Sequence, residues 1–177
     1  MTVTRAHLGL VVMLAGSVTA AAATMPKYGV TAKAAKHTDF TRLKTYAWTS
    51  GWAIFDKPTD RFVVAAIDRE LAGLGLTRRD AEPCDVIVQY ASLLRTDVDL
   101  KSKMSPVTKL RREYPVGTIV VLLLEPTSRR ELFRGRIDVP LETKPEKLEQ
   151  QLNRVIAQVF VKYPTRRSAR RQSTAGR

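Results

Sequence analysis

Residues 116–141 read VGTIVVLLLEPTSRRELFRGRIDVPL, and this stretch decides the fold. Residues 116–126 are apolar at nearly every position, which predicts a central strand that is covered at least partly on both faces. Residues 131–141 predict a second strand, in which Gly135 indicates a bulge or a close approach of another element. The short turn between the two strands makes them an antiparallel hairpin. In the second strand, apolar and charged side chains point to opposite faces: Phe133, Ile137 and Val139 against Arg134, Arg136 and Asp138.

Two segments with helical periodicity flank the strands. In residues 61–75, apolar residues recur every three or four positions, Thr59 or Asp60 is the predicted N-cap, and Gly75 suits the left-handed position beyond the end. In residues 143–163, Thr143 and Glu146 predict a capping box ahead of a longer apolar stripe. The two stripes are Val63, Ile67, Leu71 and Leu74, and Leu148, Leu152, Val155, Val159 and Tyr163.

Two further strands are predicted before the hairpin. In residues 39–51, DFTRLKTYAWTSG, Tyr46 and Trp48 fall on one strand face, where aromatic side chains pack under a helix; an exposed ligand platform is the alternative. Residues 84–94, CDVIVQYASLL, predict the next strand because they are rich in β-branched residues. The resulting order, β-α-β-β-β-α, predicts an α+β fold. We expect a two-layer sandwich of two helices on a mainly antiparallel sheet of about four strands.

The ends of the chain differ from the middle. Residues 1–23 combine Arg5, the apolar run LGLVVMLAGSV and an A-x-A pattern, which predicts a signal peptide cleaved after Ala23, with Ala20 or Ala22 as alternatives. The run is shorter than the roughly 20 apolar residues that a transmembrane helix needs. No cysteine stands just after this run, which argues against a lipid anchor and predicts a periplasmic or secreted protein. We assign residues 24–37 to a linker or weak edge strand, 38–164 to one domain, and 165–177 to a disordered arginine-rich tail.

The formal net charge of +13 is concentrated in two segments. Residues 166–177 hold five arginines and no acid, and residues 101–114 hold five basic residues and one acid. Such segments attract anionic surfaces, so the expected partner is an anionic envelope polymer, a lipid surface or another envelope protein. Nucleic acid is not expected, because no aromatic motif is interleaved with the basic residues. The candidate contact residues are Lys101, Lys103, Lys109, Arg111 and Arg112.

Signatures of catalysis and metal binding are sparse. The chain has one cysteine, Cys84, and after the predicted signal peptide one histidine, His37. No G-x-S-x-G or S-x-x-K motif occurs, and zinc sites usually draw on several histidines and cysteines. We therefore predict a noncatalytic protein with no cofactor and no metal. The alternative is a periplasmic hydrolase that uses one of two carboxylate pairs, Asp97 with Asp99 or Glu82 with Asp85.

Five stretches occur in an order and spacing that resemble a known bacterial family. They are DFTRLKTYAW, AIDRELAGLGL, PCDVIVQY, GTIVVLLLEPTSRRELFRGRI and LNRVIAQVFVKYP. Together, over about residues 38–164, they resemble domain of unknown function 4136 (DUF4136). The resemblance implies an exported or lipid-anchored envelope protein with a small α+β domain, and it brings no catalytic residue. This chain departs from the family pattern in lacking the anchoring cysteine and in having a basic middle loop and tail.

Overall fold

The computed structural model describes residues 28–53 and 55–166. This part of the chain forms a mixed six-stranded sheet, two α-helices and one 3-10 helix, Phe40–Arg42. The predicted signal peptide and its cleavage site, residues 24–27 and residues 167–177 lie outside it. The elements are β1 (Gly29–Ala34), β2 (Thr45–Trp48), α1 (Lys57–Ala72), β3 (Thr77–Arg79), β4 (Val86–Val98), β5 (Glu113–Leu124), β6 (Glu131–Pro140) and α2 (Pro145–Phe160).

The strands lie in the order β1-β6-β5-β4-β2-β3. β1, β6, β5 and β4 are antiparallel neighbours, and β5 with β6 forms the predicted hairpin, in which Ile119 lies opposite Ile137. β2 instead runs parallel to both β3 and β4. Helix α1 allows this direction because it crosses over between β2 and β3. The α+β prediction is confirmed, and three of the five strand pairings are antiparallel. The expected number of about four strands is wrong, because the sheet has six strands and is mixed.

Two edge strands account for the difference in strand number. β1 lies in the segment assigned to a linker or weak edge strand. The strand continues to Ala34 because every second side chain packs against the core: Val30, Ala32 and Ala34. β3 has only three residues, all exposed, and therefore lacks the apolar alternation that predicts a strand. Its pairing with β2 depends on backbone hydrogen bonds, including Thr77 N–H to the Lys44 carbonyl at 2.7 Å.

Both helices pack on the same face of the sheet. On that face β5 presents Ile119, Val121 and Leu123, each at most 1% exposed, while the residues between them are half-buried on the opposite face. The central strand is thus covered fully on one side and partly on the other, as predicted. Each helix buries most of its predicted stripe: Val63, Ile67 and Leu71 from α1, and Leu152, Val155 and Val159, joined by Ile156, from α2. Within residues 28–53 and 55–166, no helix combines the length and apolar character required to cross a bilayer.

Helix α1 begins earlier than predicted. Asp56 is its N-cap and accepts a hydrogen bond of 3.0 Å from Thr59 N–H. The predicted caps, Thr59 and Asp60, lie inside the first turn, because Pro58 is well accommodated there and lets the helix start before it. The end is as predicted: Gly75 has a φ of +84° and follows the last turn.

Helix α2 does not use the predicted capping box. Its N-cap is Lys144, whose side chain makes no capping hydrogen bond, so the pairing of Thr143 with Glu146 is wrong. Pro145 occupies the first turn instead and has no N–H that would need a capping partner. In both helices, therefore, the predicted capping residues are wrong, and a proline occupies the first turn.

Gly135 lies where α2 crosses β6. A Cβ atom at this position would lie 2.1 Å from Val159 Cγ1, and Val159 is fully buried. The predicted close approach is therefore present at Gly135. The pairing irregularity lies elsewhere, between Leu123 and Leu124 of β5.

Replacing Gly135 with alanine should lower the free energy of unfolding by about 1–3 kcal/mol, because the added methyl group overpacks the interface between sheet and helix. Urea denaturation followed by circular dichroism would measure this loss. A second change, Val159→Ala, removes the opposing methyl groups, so the double variant should be more stable than the sum of the two single losses predicts. Strictly additive losses would contradict the contact.

Candidate functional site

The five predicted contact residues lie on the connection between β4 and β5. β6 pairs with β5 only from Val116 onward. The β4–β5 ladder continues for three more pairs beyond β6, and its last pair is Val98 with Glu113. Residues 99–112 close this two-stranded ribbon, and we call them the ribbon tip. β5 begins at Glu113, three residues before the strand predicted from residue 116, so Pro115 lies inside it. Pro115 lies opposite Thr96 of β4, and its carbonyl accepts a 2.9 Å hydrogen bond from Leu141 N–H, just after β6. A residue without an N–H is tolerated there because β6 itself pairs with β5 only from Val116 onward.

The ribbon tip is held in shape by hydrogen bonds of its own. Asp99 N–H donates to the Arg112 carbonyl at 2.7 Å, and Ser105 N–H donates to the Leu110 carbonyl at 2.8 Å. Lys109 N–H donates back to the Ser105 carbonyl at 3.0 Å. These bonds close two nested turns, so the basic residues lie on a folded loop.

The five basic side chains of the ribbon tip do not have equal roles. The Arg111 guanidinium donates to the carbonyls of Leu100 and Ser102, both at 2.6 Å, and so links two parts of the loop. The other four cations are exposed, and within the described residues no carboxylate lies at ion-pair distance from them. They are Lys101, Lys103, Lys109 and Arg112. Arg111 is therefore needed for the shape of the loop, while the other four cations are available for a ligand.

The ribbon tip also exposes apolar side chains. Val107 is 86% exposed, Leu110 64%, Leu100 61% and Met104 53%. They alternate irregularly with the four cations along the loop, which gives the tip a mixed apolar and basic surface. Sequence reasoning missed this feature because apolar residues in a connection show neither the helix nor the strand period. The sequence signal for this surface was the presence of four apolar residues in a connection without a predicted helix or strand.

A polar cluster lies at the base of the ribbon, on the sheet face opposite the helices. Asp138 is 8% exposed and accepts hydrogen bonds from Thr118 Oγ1 at 2.6 Å, Arg136 Nε at 2.6 Å and Arg95 Nη1 at 3.3 Å. Burial by itself would raise the pKa of Asp138, but the hydrogen bonds from Arg136 and Thr118, with that from Arg95, outweigh burial and lower it. The sequence placed Arg136 and Asp138 on the outer face correctly, but it gave no sign that Arg95 joins them.

Asp97, the first carboxylate of one predicted catalytic pair, also belongs to this cluster. It accepts hydrogen bonds from the Tyr28 hydroxyl and from Arg95 Nε, the latter at 3.1 Å, and these two partners lower the pKa of Asp97. Asp99 instead accepts a 3.0 Å hydrogen bond from Lys101 N–H and shapes the turn. The two carboxylates thus serve different parts of the structure, Asp97 the polar cluster and Asp99 the turn at the start of the ribbon tip.

The second carboxylate pair holds β2 and the β5–β6 turn in place. Asp85 Oδ2 accepts hydrogen bonds from Lys44 N–H at 2.9 Å, Thr45 N–H at 2.8 Å and Thr45 Oγ1 at 2.9 Å. These hydrogen bonds, with that from Lys44 the strongest, lower the pKa of Asp85. Glu82 pairs with Arg129 at 3.0 Å. Both carboxylates therefore have structural partners in the fold.

Tyr46 and Trp48 pack against α1. Tyr46 OH and Trp48 Nε1 donate to the same carboxylate oxygen of Asp68, at 2.7 and 2.8 Å, and Arg78 Nη1 donates to the other oxygen at 2.8 Å. Tyr46 is 2% exposed, and the half-buried Trp48 meets Tyr90 edge-to-face. A stacking platform would leave ring faces open to solvent, so the prediction of a strand under a helix is confirmed.

Neither Cys84 nor His37 lies in a site that would activate it. The Cys84 thiol donates to the Val86 carbonyl at 3.3 Å, and burial raises the pKa of this thiol, which favours the unreactive neutral form. His37 is exposed in a turn after β1. Among residues 28–53 and 55–166, no three His, Cys, Asp or Glu side chains are grouped closely enough to hold a metal ion.

Several solved structures have a similar fold. A PDZ domain protein from Parabacteroides distasonis is 14% identical with a TM-score of 0.52, and the match covers 77% of this chain but only 35% of that one. PelC from Paraburkholderia phytofirmans, a dodecamer, is 13% identical with a TM-score of 0.50, over 74% of this chain and 94% of that one. Rare lipoprotein B from Shewanella oneidensis is 7% identical with a TM-score of 0.40, over 76% and 100%. For the first two, whose TM-scores reach 0.50, the similarity at these identities concerns the fold alone.

Sequence comparisons gave one clear result. No curated protein matches this chain significantly. The family model described as Domain of unknown function (DUF4136) matches residues 30–165. The match runs from β1 through α2, so it includes the whole sheet and the ribbon tip. The resemblance found in residues 38–164 is thereby confirmed and extends to β1, and the chain belongs to the DUF4136 family.

Proposed function

We propose that this protein is a noncatalytic binding module of the bacterial cell envelope and that its ribbon tip contacts an anionic envelope component. One observation carries the proposal: the tip presents four exposed cations on a folded loop, with no carboxylate partner among the described residues. The predicted signal peptide supports an envelope location. The carboxylate pairs considered for hydrolysis have structural partners, which supports a binding role over a catalytic one.

The arrangement of the cations matters more than any single charge. An exposed ion pair contributes only about 0–1 kcal/mol, so one lysine would not retain a partner. Four cations on one loop can meet several anionic groups at once, and their contributions then add within a single binding event. Because the turns around Ser105 and Asp99 already fix the loop, less conformational entropy is lost on binding.

The four cations should dominate binding to anionic probes. We expect the variant Lys101→Gln/Lys103→Gln/Lys109→Gln/Arg112→Gln to bind dextran sulfate, or vesicles containing phosphatidylglycerol, about 10- to 100-fold more weakly than the native chain at low salt. Native binding should disappear at about half-molar salt, where electrostatic attraction is screened over a few ångströms. Sedimentation with vesicles and fluorescence anisotropy with labelled dextran sulfate would measure both effects. Arg111 stays unchanged in this variant because it holds the loop.

A matched control separates the site from the overall charge. The variant Lys33→Gln/Lys36→Gln/Arg42→Gln/Lys44→Gln removes the same charge from exposed positions in or beside β1 and β2. Measured along the strands, these positions lie at the end of the sheet opposite the ribbon tip. It should bind nearly as tightly as the native chain. Equal loss in the two variants, salt-independent binding, or binding to neither probe would contradict the proposal. Circular dichroism of both variants would check that they are folded.

A further inference from the structure

We infer that the anionic component is a lipid bilayer and that the ribbon tip inserts apolar side chains between its headgroups. This inference rests on the proposed function, because the same loop supplies the cations. It adds a specific partner and a second contribution to binding, the burial of apolar surface. The side chains concerned are Leu100, Met104, Val107 and Leu110, all more than half exposed.

The apolar side chains argue for lipid over an anionic polymer. Exposed apolar residues scattered singly need no explanation, but four within a loop of 14 residues form a local cluster that marks an interaction surface. A hydrated polymer of sulfate or carboxylate groups gains little from contact with Val107 or Leu110. The bilayer interface accepts both kinds of group, since apolar side chains enter the boundary of headgroups and acyl chains while cations stay among the phosphates.

The order of residues in the loop matches this geometry. Leu100 is followed directly by Lys101, and Met104 is preceded directly by Lys103. Leu110 has Lys109 on one side and Arg111 on the other. Shallow insertion of Leu100, Met104 or Leu110 therefore leaves a cation one residue away, and Val107 lies two residues from Lys109. Long basic side chains reach back to the headgroups while their methylene groups contact apolar surface.

The position of the loop in the fold also suits insertion. The last pairs of the β4–β5 ribbon extend beyond β6, so the tip can meet a flat surface at the end of the sheet. Backbone polar groups that approach a bilayer must keep hydrogen-bond partners. Within the tip, the N–H groups of Asp99, Ser105 and Lys109 already donate to carbonyls of the loop.

Replacing the two most exposed apolar side chains tests the inference while every charge is kept. The variant Val107→Ser/Leu110→Ser should bind vesicles of phosphatidylcholine and phosphatidylglycerol about tenfold or more weakly than the native chain. Its binding to dextran sulfate should stay within about twofold, since only cations act on that polymer. Unchanged vesicle binding by this variant would overturn insertion, even if the cation variant had already lost binding to both probes.

A fluorescence experiment reports insertion directly. In a Trp52→Phe background, which removes a tryptophan that is 85% exposed and keeps Trp48, the change Val107→Trp places a probe on the tip, and its signal is the difference from that background. Its emission should shift to the blue and be quenched by brominated lipids when vesicles are added. The control Val161→Trp, at a position 48% exposed next to the end of α2, should show neither effect.

The outcomes separate the two proposals. Tip-dependent, salt-sensitive binding to dextran sulfate without vesicle binding, or vesicle binding without quenching at Val107→Trp, would overturn insertion and leave the proposed function standing. Absence of tip-dependent binding to either probe would overturn both. The inference requires two results. Brominated lipids must quench Val107→Trp and not Val161→Trp, and Val107→Ser/Leu110→Ser must lose binding to vesicles but not to dextran sulfate.

Discussion

Replacing Phe133 with alanine should lower the free energy of unfolding by about 3–5 kcal/mol, the largest stability effect that we expect for this fold. Phe133 is fully buried on β6, where its ring stacks on Phe160 at 5.9 Å between centroids and meets Tyr163 edge-on at 5.3 Å. Its removal leaves a cavity beneath the end of α2. The surrounding rings are themselves fully packed, so the cavity cannot collapse without loss of other contacts.

Urea denaturation followed by circular dichroism would measure the effect of Phe133→Ala. The matched control is Trp52→Ala, which removes a larger aromatic side chain that is 85% exposed. That control should change stability by less than about 0.5 kcal/mol. A loss below about 1 kcal/mol for Phe133→Ala would show that α2 does not pack on β6 as described.

The second large effect concerns the polar cluster on the opposite face of the sheet. Replacing Asp138 with alanine should cost about 2–3 kcal/mol, because it leaves the Arg95 and Arg136 guanidinium groups without their shared carboxylate. The cost stays below that of a completely buried pair because the Arg136 side chain is 53% exposed and retains contact with water. The variant Arg134→Gln, which breaks an exposed pair with Glu131 on the same strand, should cost less than about 1 kcal/mol.

The Asp138 contribution should also depend on pH. Since the pKa of Asp138 is lower in the folded protein than in the unfolded chain, its charged form stabilises the fold at pH values above the unfolded pKa. That contribution is lost as the pH falls below about 4 and through the folded-state pKa. The stability difference between the native chain and Asp138→Asn should therefore be constant near neutral pH and shrink in acid. A difference that grows in acid would contradict the assignment.

The elements that follow from the sequence are those with a regular apolar period. The β5–β6 hairpin follows from a continuous apolar run beside an alternating one, and both helices follow from stripes at spacings of three and four. β3 could not be predicted, because Thr77, Arg78 and Arg79 are all exposed and bury nothing. The parallel direction of β2 also could not be predicted, since local patterns do not specify which strand a neighbour will pair with.

The candidate site could be predicted only in its charges. The basic residues are close together in the sequence and can be recognised there. The polar cluster depends on strand register, because Thr118 lies opposite Asp138 and Arg95 of β4 hydrogen-bonds to both. Asp97 and Asp99 are neighbours in sequence, yet one ends in the cluster and the other in a turn, because β4 stops between them. Proximity along the chain was therefore a poor guide to a shared site.

The pairing of β1 with β6 would matter for folding if the predicted signal peptide directs export. Gly29 and Asp138 are partners although almost the whole domain separates them in sequence, so this contact carries the entropy cost of closing a long loop. If the chain crosses the inner membrane starting from its N-terminus, as the predicted signal peptide implies, β1 emerges long before its partner strand. Until β6 arrives, β1 is an unpaired segment that the translocation channel can deliver unfolded. During that interval the backbone of β1 has no partner in its own chain and can pair in error with a second copy.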